Sequence, residues 1–454
     1  MINFKNKFTK KLLDVIPGGA HTYSRGADQY PDNAPSILHK GKGVYIYDDR
    51  NRKLLDYGMG LRSVNIGYSE KTINNAAIKE INNGNNLTRP SLVELKAAQL
   101  LTKSIDSVDM VKFTKNGSTA VTAAVKLARA FTKKKIILRC KQQPFFSYDD
   151  WFIASTIVNR GIPKEIINLT KTFNYNDTEN LKKIIKKYKN QIACVVLEPS
   201  STECPKINKD DTPCCMKYPC NRNFRKKNHF LKEVENICRE NNIVFILDEM
   251  ITGFRWHLKG AQYFYGVKPD ISTFGKAMAN GFSVAAVSGK RKIMELGSIT
   301  NAKEERVFLL STTHGAEMSG LGGFIATLNF LKKKNVIQHI WRYGSSLIKE
   351  INSISNDMGL INNFSLHGIA CSPYYLCRDN NGKVNSKLRT VFMREMIRNG
   401  ILMPWIAIAY RHDQKCFHKT LNAITKTLKV YKKYVKNRLK FKGRKIKPVF
   451  RKFN

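Results

Sequence analysis

A chain of 454 residues is long enough to bury a large hydrophobic core and usually forms two or three structural units. A hydrophobic content of 42% excludes a disordered chain, and no apolar run approaches the roughly 20 residues that a membrane-spanning helix needs. The net charge of +43 comes from basic residues spread along the whole chain. It therefore indicates a compositional bias, and we expect no nucleic-acid partner. Residues 1–11 contain no apolar segment of the signal-peptide kind, and we expect a cytoplasmic protein.

The predicted elements begin with a short antiparallel hairpin. Residues 43–48 and 53–57 alternate in polarity and are joined by a turn at residues 49–51. After Leu92 the pattern changes to helices and strands in alternation. The predicted helices are residues 120–131, 178–188 and 230–240, and the predicted strands are residues 136–138, 193–197 and 243–248. This alternation predicts an α/β fold with a mainly parallel sheet and helices on both of its faces.

Beyond residue 320 the sequence predicts a smaller part of the fold. Helical periodicity runs from Gly322 to Lys334, an α+β portion follows, and a long helix begins near Cys416. The segment from Lys429 to Lys452 is basic throughout and contains no acidic residue. We expect its first half to extend the last helix and the rest to be a solvated tail that the chemistry does not need.

The ten cysteines form no regular disulfide framework. Six of them are scattered in apolar or helical surroundings, and we expect them to be buried reduced thiols: Cys140, Cys194, Cys238, Cys371, Cys377 and Cys416. The other four, Cys204, Cys214, Cys215 and Cys220, cluster in a polar stretch. Four thiolates can bind zinc, but the spacing lacks the paired C-x-x-C pattern. We therefore expect an irregular insertion here and no metal site.

The strongest chemical signal is an acid and a lysine 28 residues apart. Asp248 ends the apolar run Ile243–Leu247, which is typical of a buried parallel strand, and open α/β sheets bind ligands at the carboxyl ends of their strands. Lys276 follows a glycine after another short apolar run. A lysine that forms a Schiff base and an acid that keeps a pyridine nitrogen protonated are what pyridoxal 5'-phosphate chemistry needs. Taken alone, the pair is also compatible with a surface lysine on a loop.

A second candidate site is the small polar turn Asn116-Gly117-Ser118, which opens a predicted helix. A helix start presents backbone N–H groups and the positive end of the helix dipole, and both suit a phosphate group. By itself the turn is better explained as an ordinary helix N-cap.

The context of these residues resembles the class III aminotransferases, in the branch related to glutamate-1-semialdehyde 2,1-aminomutase. The matching segments follow in order along nearly the whole chain: Ile16–Ser24, Gly58–Val64, Thr88–Ser91, Leu247–Arg255, Ser272–Gly281 and Met403–Ile406. The resemblance implies the type I fold of pyridoxal-phosphate-dependent transferases. That fold has a large domain with a mainly parallel seven-stranded sheet and a smaller α+β domain built from both chain ends.

With this fold, we expect the domains to divide in four segments. Residues 1–60 contribute to the small domain and residues 61–325 form the large cofactor-binding domain. Residues 326–436 form the C-terminal small domain, and residues 437–454 are the basic tail.

The resemblance also assigns roles near the cofactor. Asn116, Gly117 and Ser118 would bind its phosphate, although relatives usually carry an acid at the position of Thr119. Phe145 would stack on the pyridine ring, a role that any aromatic side chain can perform. Its neighbours depart from the family pattern, because Phe146 stands in place of a histidine and Ser147 in place of a glycine. The competing interpretation is that Phe145 and Phe146 are only core residues.

Further residues are assigned from the same likeness. Thr313, in the segment Ser311–Glu317, matches a threonine that reaches the phosphate of the neighbouring subunit's cofactor, which implies a homodimer with shared active sites. Glu198 ends a predicted strand near the active site, although a solvated acid explains it equally well. Arg25 has the spacing of an arginine that holds the substrate carboxylate. An ordinary surface arginine is the competing interpretation, and Arg62 and Arg89 are rival candidates for that role.

The sequence therefore predicts an aminotransferase that moves an amino group between an amino-acid donor and a small ketone or aldehyde, with a keto-sugar as one option. Lys276 would bind the cofactor and then act as the base for proton transfer, and Asp248 would stabilise the pyridinium. The first alternative is a glutamate-1-semialdehyde 2,1-aminomutase, which moves the amino group within one molecule. The second is a non-catalytic descendant of the fold, against which the retention of Asp248 and Lys276 argues.

Overall fold

The computed structural model describes residues 6–200, 202–207, 215–220, 222–300 and 305–453. The chain divides into two compact units. Unit 1 comprises Met1–Glu70, Met216–Pro219 and Gln338–Asn454, and unit 2 comprises Lys71–Cys215 and Cys220–Ile337. The four-segment division expected from the sequence stays a proposal.

The helices, in chain order, are α1 (Lys7–Val15), α2 (Met59–Arg62), α3 (Lys71–Asn82), α4 (Leu92–Ser104), α5 (Gly117–Thr132), α6 (Asp150–Ile153), α7 (Lys164–Ile167), α8 (Thr178–Lys187), α9 (Phe230–Glu240), α10 (Gly260–Tyr265), α11 (Arg291–Met294), α12 (Met318–Lys333), α13 (Val336–Asp357), α14 (Ser386–Arg398) and α15 (Gln414–Val435). The strands are β1 (Leu38–Lys42), β2 (Tyr45–Asp48), β3 (Lys53–Asp56), β4 (Met110–Thr114), β5 (Ile136–Cys140), β6 (Thr170–Phe173), β7 (Ile192–Leu197), β8 (Val244–Glu249), β9 (Ile271–Phe274), β10 (Ala285–Gly289), β11 (Phe364–Ile369), β12 (Ser372–Cys377) and β13 (Ile401–Leu402).

Unit 2 is built on a seven-stranded sheet in the order β4-β10-β9-β8-β7-β5-β6. Strands β9, β8, β7, β5 and β6 pair in parallel, whereas β10 pairs antiparallel with both β4 and β9. Every residue of β5, β7 and β8 is buried, as expected when helices cover both faces of a parallel sheet. The α/β fold class and the mainly parallel sheet predicted from the sequence are confirmed.

The sheet brings the carboxyl ends of β8 and β9 side by side. Asp248 in β8 lies opposite Thr273 in β9, and Glu249 lies opposite Phe274, one register position further along. Lys276 follows β9 after a single intervening glycine, so the strand pairing places the acid and the lysine at the same edge of the sheet. Two residues separate the end of β4 from the start of α5.

Unit 1 contains a four-stranded sheet in the order β1-β2-β3-β13 and a separate hairpin of β11 and β12. The predicted hairpin near the chain start is confirmed, because β2 and β3 pair antiparallel. Long amphipathic helices complete the unit, and their interior includes a buried polar contact. There the hydroxyl of Tyr57 lies 2.8 Å from the hydroxyls of both Tyr343 and Thr420. The predicted long C-terminal helix is confirmed as α15.

The basic tail corrects one expectation. The helix α15 ends at Val435, but the residues that follow are not a solvated tail, because they pack on unit 1. Ile446 is buried, and its N–H donates to Thr390 Oγ1 at 3.1 Å. Arg444 and Arg451 form ion pairs with Asp32 and Asp28 at 3.3 and 2.6 Å. Arginine-carboxylate pairs and one buried isoleucine are enough to anchor a basic segment that the composition alone would leave in solvent.

The six scattered cysteines are buried and free of disulfides, and their predicted burial is confirmed. Cys204 is also buried, Cys215 and Cys220 form a disulfide that we did not expect, and Cys214 lies outside the described residues. No group of three or more potential metal ligands occurs among the residues that the structure describes.

None of the described helices combines the length and the apolar character that crossing a bilayer requires.

Candidate active site

Asp248 is a buried carboxylate at the end of a central strand. Only 2% of its surface is exposed, and its Oδ1 accepts hydrogen bonds from Met250 N at 2.9 Å and Thr273 Oγ1 at 3.1 Å. Among the residues that the structure describes, none donates a hydrogen bond to the other carboxylate oxygen, Oδ2. Burial raises the pKa of Asp248 to about 6, whereas the Met250 N–H, the positive charge of Lys276 and the Thr273 hydroxyl lower it. The geometry leaves one carboxylate oxygen for a ligand.

Lys276 begins a short 3₁₀ turn directly after β9. Its φ of 43° lies in the left-handed region, which is uncommon for a residue with a side chain and is typical of strained functional positions. The charge of Lys276 acts on the Asp248 carboxylate, so the two groups that the sequence singled out lie within electrostatic reach of each other. The predicted pairing of acid and lysine at one edge of the sheet is therefore present in the fold.

Met250 connects this pair to the turn at the start of α5. A Cβ atom added at Gly117 would lie 2.8 Å from Met250 Sδ, and one added at Gly275 would lie 2.6 Å from the same atom. Because these two residues have no Cβ atom, the turn at Asn116 and the lysine turn can both pack against this sulfur. The sequence analysis missed Met250, although its position two residues after Asp248 was a signal.

The turn before α5 has the geometry of an anion site. Asn116 is the N-cap, and its Oδ1 accepts from Thr119 N at 2.9 Å and from Thr119 Oγ1 at 3.0 Å. Gly117 and Ser118 come earlier in the helix, where an amide has no intrahelical acceptor. Their N–H groups and the helix dipole therefore face the helix start together, which favours a negatively charged group there.

The aromatic segment separates its two phenylalanines. Phe145 is 47% exposed. Among the described residues, its ring pairs with one other aromatic ring, that of Phe152, in an edge-on arrangement with the centroids 5.8 Å apart. Phe146 is 2% exposed and packs against the same Phe152 at 5.7 Å. The guanidinium of Arg139 lies 5.0 Å from the Phe152 centroid. Phe146 is therefore a core residue, whereas Phe145 keeps ring surface for a ligand.

Glu198 lies just beyond β7 and is buried. The side-chain amide of Gln143 holds its backbone at both ends, because Nε2 donates to Glu198 O and Oε1 accepts from Glu198 N, each at 2.8 Å. The interpretation of Glu198 as a solvated acid is wrong, since the residue is enclosed. Gln143 is a positioning residue that the sequence analysis did not identify.

Glu249, next to Asp248, has a different environment. Its Oε2 accepts from Thr252 Oγ1 and Ala261 N, and its Oε1 accepts from the backbone and side-chain nitrogens of Gln262, all at 2.7 to 3.2 Å. Burial raises the pKa of Glu249 and these hydrogen bonds lower it. Both carboxylate oxygens are occupied by the start of α10, so this acid holds structure together.

The remaining candidates, Thr313 and Arg25, lie on other segments of the chain. Thr313 is exposed in the turn that precedes α12. Four residues later, Glu317 pairs with Lys115 and accepts from Asn85 Nδ2 at 2.8 Å. Arg25 is exposed in a short 3₁₀ turn of unit 1, and its role stays a prediction.

The two rival arginines also differ. Arg62 donates to Ser372 Oγ within unit 1 and has a φ of 68°, whereas Arg89 is exposed in unit 2.

Pyridoxal phosphate fits the residues of unit 2. Asp248 offers a carboxylate oxygen for a protonated ring nitrogen, Lys276 offers an amine at the same sheet edge, and the turn at Asn116 offers N–H groups for a phosphate. The two glycines next to Met250 allow the turn at Asn116 and the lysine turn to pack closely against its sulfur. The carboxylate, the amine and the anion-binding turn all suit the same cofactor.

Comparison with known proteins points to the same family. The profile of the aminotransferase class-III family matches residues 27–212 and 223–402. The glutamate-1-semialdehyde 2,1-aminomutase of Nitrosopumilus maritimus (strain SCM1) is 30% identical over 447 residues, which are 94% of this chain and 99% of that protein. The 3-aminobutyryl-CoA aminotransferase of Cloacimonas acidaminovorans (strain Evry) is 29% identical over 428 residues, which are 93% of this chain and 96% of that protein.

The fold has solved counterparts as well. The structure of the PLP internal aldimine form of the FumI protein from Sphingopyxis sp. MTA144 superposes with a TM-score of 0.81 at 20% identity, covering 96% of this chain and 98% of that one. At this identity the likeness shows the fold alone. Together with the family match over most of the sequence, it leads to one conclusion: the chain belongs to the class III aminotransferase family, enzymes of the aminotransferase and aminomutase kind whose cofactor is pyridoxal phosphate.

Proposed function

We propose that this enzyme is an aminotransferase which moves an amino group from an amino-acid donor to a small ketone or aldehyde, a keto-sugar being one option. The observation that carries the proposal is the placement of Asp248 and Lys276 on neighbouring strand ends, with the turn at Asn116 joined to them through Met250. This arrangement provides a base, a counter-charge and an anion site within one unit.

When bound, pyridoxal phosphate supplies an aldehyde that captures amines and a ring that accepts electrons. The chain's own residues would do the rest. Lys276 would hold the cofactor through its amine, and the same Nζ, once free, would act as the base that accepts and returns a proton. The ionised carboxylate of Asp248 would hold a proton on the ring nitrogen.

The other site residues hold the cofactor in place. The N–H groups of Gly117 and Ser118, with the Asn116 cap behind them, bind the phosphate. Phe145 covers one face of the ring, and Glu198 and Arg25 are the proposed substrate contacts. For Arg25, the chemical argument is the bidentate match between a guanidinium and a substrate carboxylate.

Transfer between two molecules is favoured over transfer within one. The segment from Thr313 to Glu317 departs from the corresponding loop expected of aminomutases. The relative from N. maritimus is named as an aminomutase, and that activity is therefore the alternative to test. Its substrate, glutamate-1-semialdehyde, provides a direct assay. We expect little isomerisation of glutamate-1-semialdehyde supplied alone and faster conversion when separate amino donors and carbonyl acceptors are supplied together. Rapid turnover of the single substrate without any acceptor would instead establish the aminomutase.

We further propose a homodimer with shared sites. Apolar side chains at least 50% exposed lie on α3, on α4 and between them: Ile78, Ile81, Leu87, Leu92 and Leu95. Such a set on a folded chain calls for a partner surface, and a second copy with two-fold symmetry is the commonest one. Thr313 would then complete the phosphate site of the partner subunit. An interface above about 2,000 Å² is expected for an obligate dimer.

Mixed dimers test the shared site directly. A dimer of one Lys276→Ala protomer and one Thr313→Ala protomer contains one site with both residues intact if Thr313 acts across the interface. Co-refolded mixtures should then regain activity that neither parent variant has. If Thr313 acts within its own chain, no site in the mixed dimer is intact, and activity should stay at the level of the parents. A stable monomer by sedimentation with full cofactor occupancy would also end the shared-site proposal.

The lysine assignment is tested by chemical trapping. Borohydride reduction of the enzyme with bound cofactor should leave one lysine carrying the pyridoxyl group, and peptide mass mapping should place it at Lys276. A pyridoxyl group on any other lysine would overturn the proposed mechanism.

A further inference from the structure

The loop of residues 145–149, which contains Phe145 and Ser147, is held by a set of hydrogen bonds. Ser147 is fully buried, with 0% of its surface exposed. Its Oγ lies 3.0 Å from Thr122 Oγ1 and 3.3 Å from the carbonyl oxygen of Ser118, and it accepts from Asp149 N at 3.1 Å. A glycine at this position would have no atom that can make these contacts. The Ser147 hydroxyl therefore makes contacts that depend on its side chain.

Thr122 is the centre of this system on the α5 side. Besides Ser147, its Oγ1 donates to Asp149 Oδ2 and accepts from Trp151 Nε1 at 2.9 Å. Thr122 lies on the second turn of α5, and Asp149 is the residue before α6. The loop is thus fastened to the helix whose start is the proposed phosphate site.

Ser118 joins the loop to that phosphate site. Its Oγ accepts from Tyr148 N at 3.2 Å, and its carbonyl oxygen accepts from the Ser147 hydroxyl. A hydroxyl has one proton to donate and can accept as well. Because the Tyr148 N–H donates to Ser118 Oγ, the Ser118 hydroxyl keeps its own proton for another acceptor.

We propose that Ser147 is a positioning residue for the cofactor phosphate, which acts by holding Ser118 at the start of α5 through its carbonyl oxygen, while the adjacent Tyr148 N–H holds the Ser118 hydroxyl. The proposal rests on the proposed function, since it takes the turn at Asn116 as the phosphate site. The buried hydroxyl of Ser147 adds a contact that preorganises the phosphate turn.

The experiment compares ligands with and without a phosphate. Pyridoxal phosphate and pyridoxal are titrated into the apo form of the wild type, of Ser147→Ala and of Ser147→Gly, with dissociation constants read from fluorescence. A matched control is Ser104→Ala, because Ser104 donates only to the carbonyl of Leu100 in its own helix, at 2.6 Å. We expect both Ser147 variants to raise the dissociation constant for pyridoxal phosphate about tenfold, the effect of about one hydrogen bond, and to leave that for pyridoxal within about twofold.

Thermal unfolding separates a positioning role from a merely structural one. If Ser147 only stabilises the loop, the variants should melt at lower temperature while the ratio of the two dissociation constants stays at the wild-type value, and the proposal is then overturned. Equal weakening of both ligands would overturn it too, because the effect would then come from the ring pocket. A wild-type protein that does not bind pyridoxal phosphate would contradict the proposed function itself, which is a different result from an unchanged ratio. Thr122→Val, of nearly the same shape, should reproduce the phosphate-specific loss.

Discussion

The strand ends at Asp248 and the aromatic loop at Phe145 serve the same proposed cofactor but are held in different ways. Asp248 and Lys276 are set by the pairing of β8 with β9, in which backbone hydrogen bonds fix the register. The loop is held by side chains: Gln143, Ser147 and the Arg139–Phe152 contact. In the sequence resemblance, the sheet edge follows the family pattern and the loop departs from it. Loops tolerate sequence change better than the elements that they connect, which agrees with this difference.

Of the changes at the sheet edge and in the loop, the loss of Lys276 should lower turnover most. Lys276→Ala should lower turnover by a factor of about 10³ or more, because Lys276 is the amine that the proposal uses to bind the aldehyde and carry the proton. The visible absorption of the cofactor at about 410–430 nm should disappear from the protein. The control is Lys112→Ala, an exposed lysine on β4 of the same sheet, which should keep both signals. Wild-type turnover in Lys276→Ala would remove this residue from the mechanism.

The two adjacent acids of β8 should separate function from structure. Asp248→Asn should lower turnover about 10²-fold with little loss of thermal stability, because the asparagine keeps an Oδ1 that can accept from Met250 N and Thr273 Oγ1 but loses the charge proposed for the ring nitrogen. Glu249→Gln should instead cost about 1–3 kcal/mol of folding stability, since its carboxylate accepts four hydrogen bonds. Thermal unfolding and turnover measurements on both variants test this separation of roles. The reverse pattern would exchange the roles that we give to the two carboxylates.

The loop side of the comparison predicts smaller losses. Phe145→Ala should weaken pyridoxal phosphate binding about tenfold, whereas Phe145→Tyr should change it by less than about twofold, since any aromatic ring can stack. Phe146→Ala is the contrast: it should mainly lower the melting temperature, because the ring is 2% exposed and packs in the core. If Phe145→Ala binds the cofactor as tightly as the wild type, its proposed stacking role is wrong.

Protonation of Asp248 should link the site to pH. Burial raises the pKa of this carboxyl to about 6, so the ionised form that holds the ring proton prevails above that value and is lost as the pH falls through it. The affinity of the apo form for pyridoxal phosphate should therefore decrease below about pH 6, and Asp248→Asn should flatten that decrease. Titrations of both proteins between about pH 5 and 8 check the sign. An identical slope in the two would assign the pH dependence to another group.

The tail should have the smallest effect on chemistry. Deletion of residues 440–454 should leave turnover within a few-fold, because the proposed cofactor residues all lie upstream in unit 2. Stability should fall by about 1–3 kcal/mol, since the deletion removes the buried Ile446 and the ion pairs of Arg444 and Arg451. Denaturant unfolding of the full and shortened chains measures this. Loss of cofactor binding on truncation would show that the tail acts on the site.

Much of the fold followed from local patterns. Continuous apolar runs marked the buried strands, and period-3.6 patterns placed helices such as α9 at the bounds that the structure has. The disulfide of Cys215 with Cys220 and the packing of the tail were missed. Both depend on which distant or irregular segments meet, and periodicity carries no information about that.

By itself, the sequence predicted that an acid and a lysine lie at the same edge of the sheet. An acid at the end of a buried strand and a lysine after the next one need only the rule that parallel strands share one carboxyl edge, and the family resemblance then names the cofactor. Only the tertiary structure decided that Phe146 is core while Phe145 keeps an exposed ring, that Gln143 clamps Glu198, and that Met250 lies against two glycines. It also decided which of the two neighbouring acids, Asp248 or Glu249, keeps an oxygen for a ligand. Those outcomes depend on burial and on long-range hydrogen bonds, which arise only when segments far apart in the chain pack together.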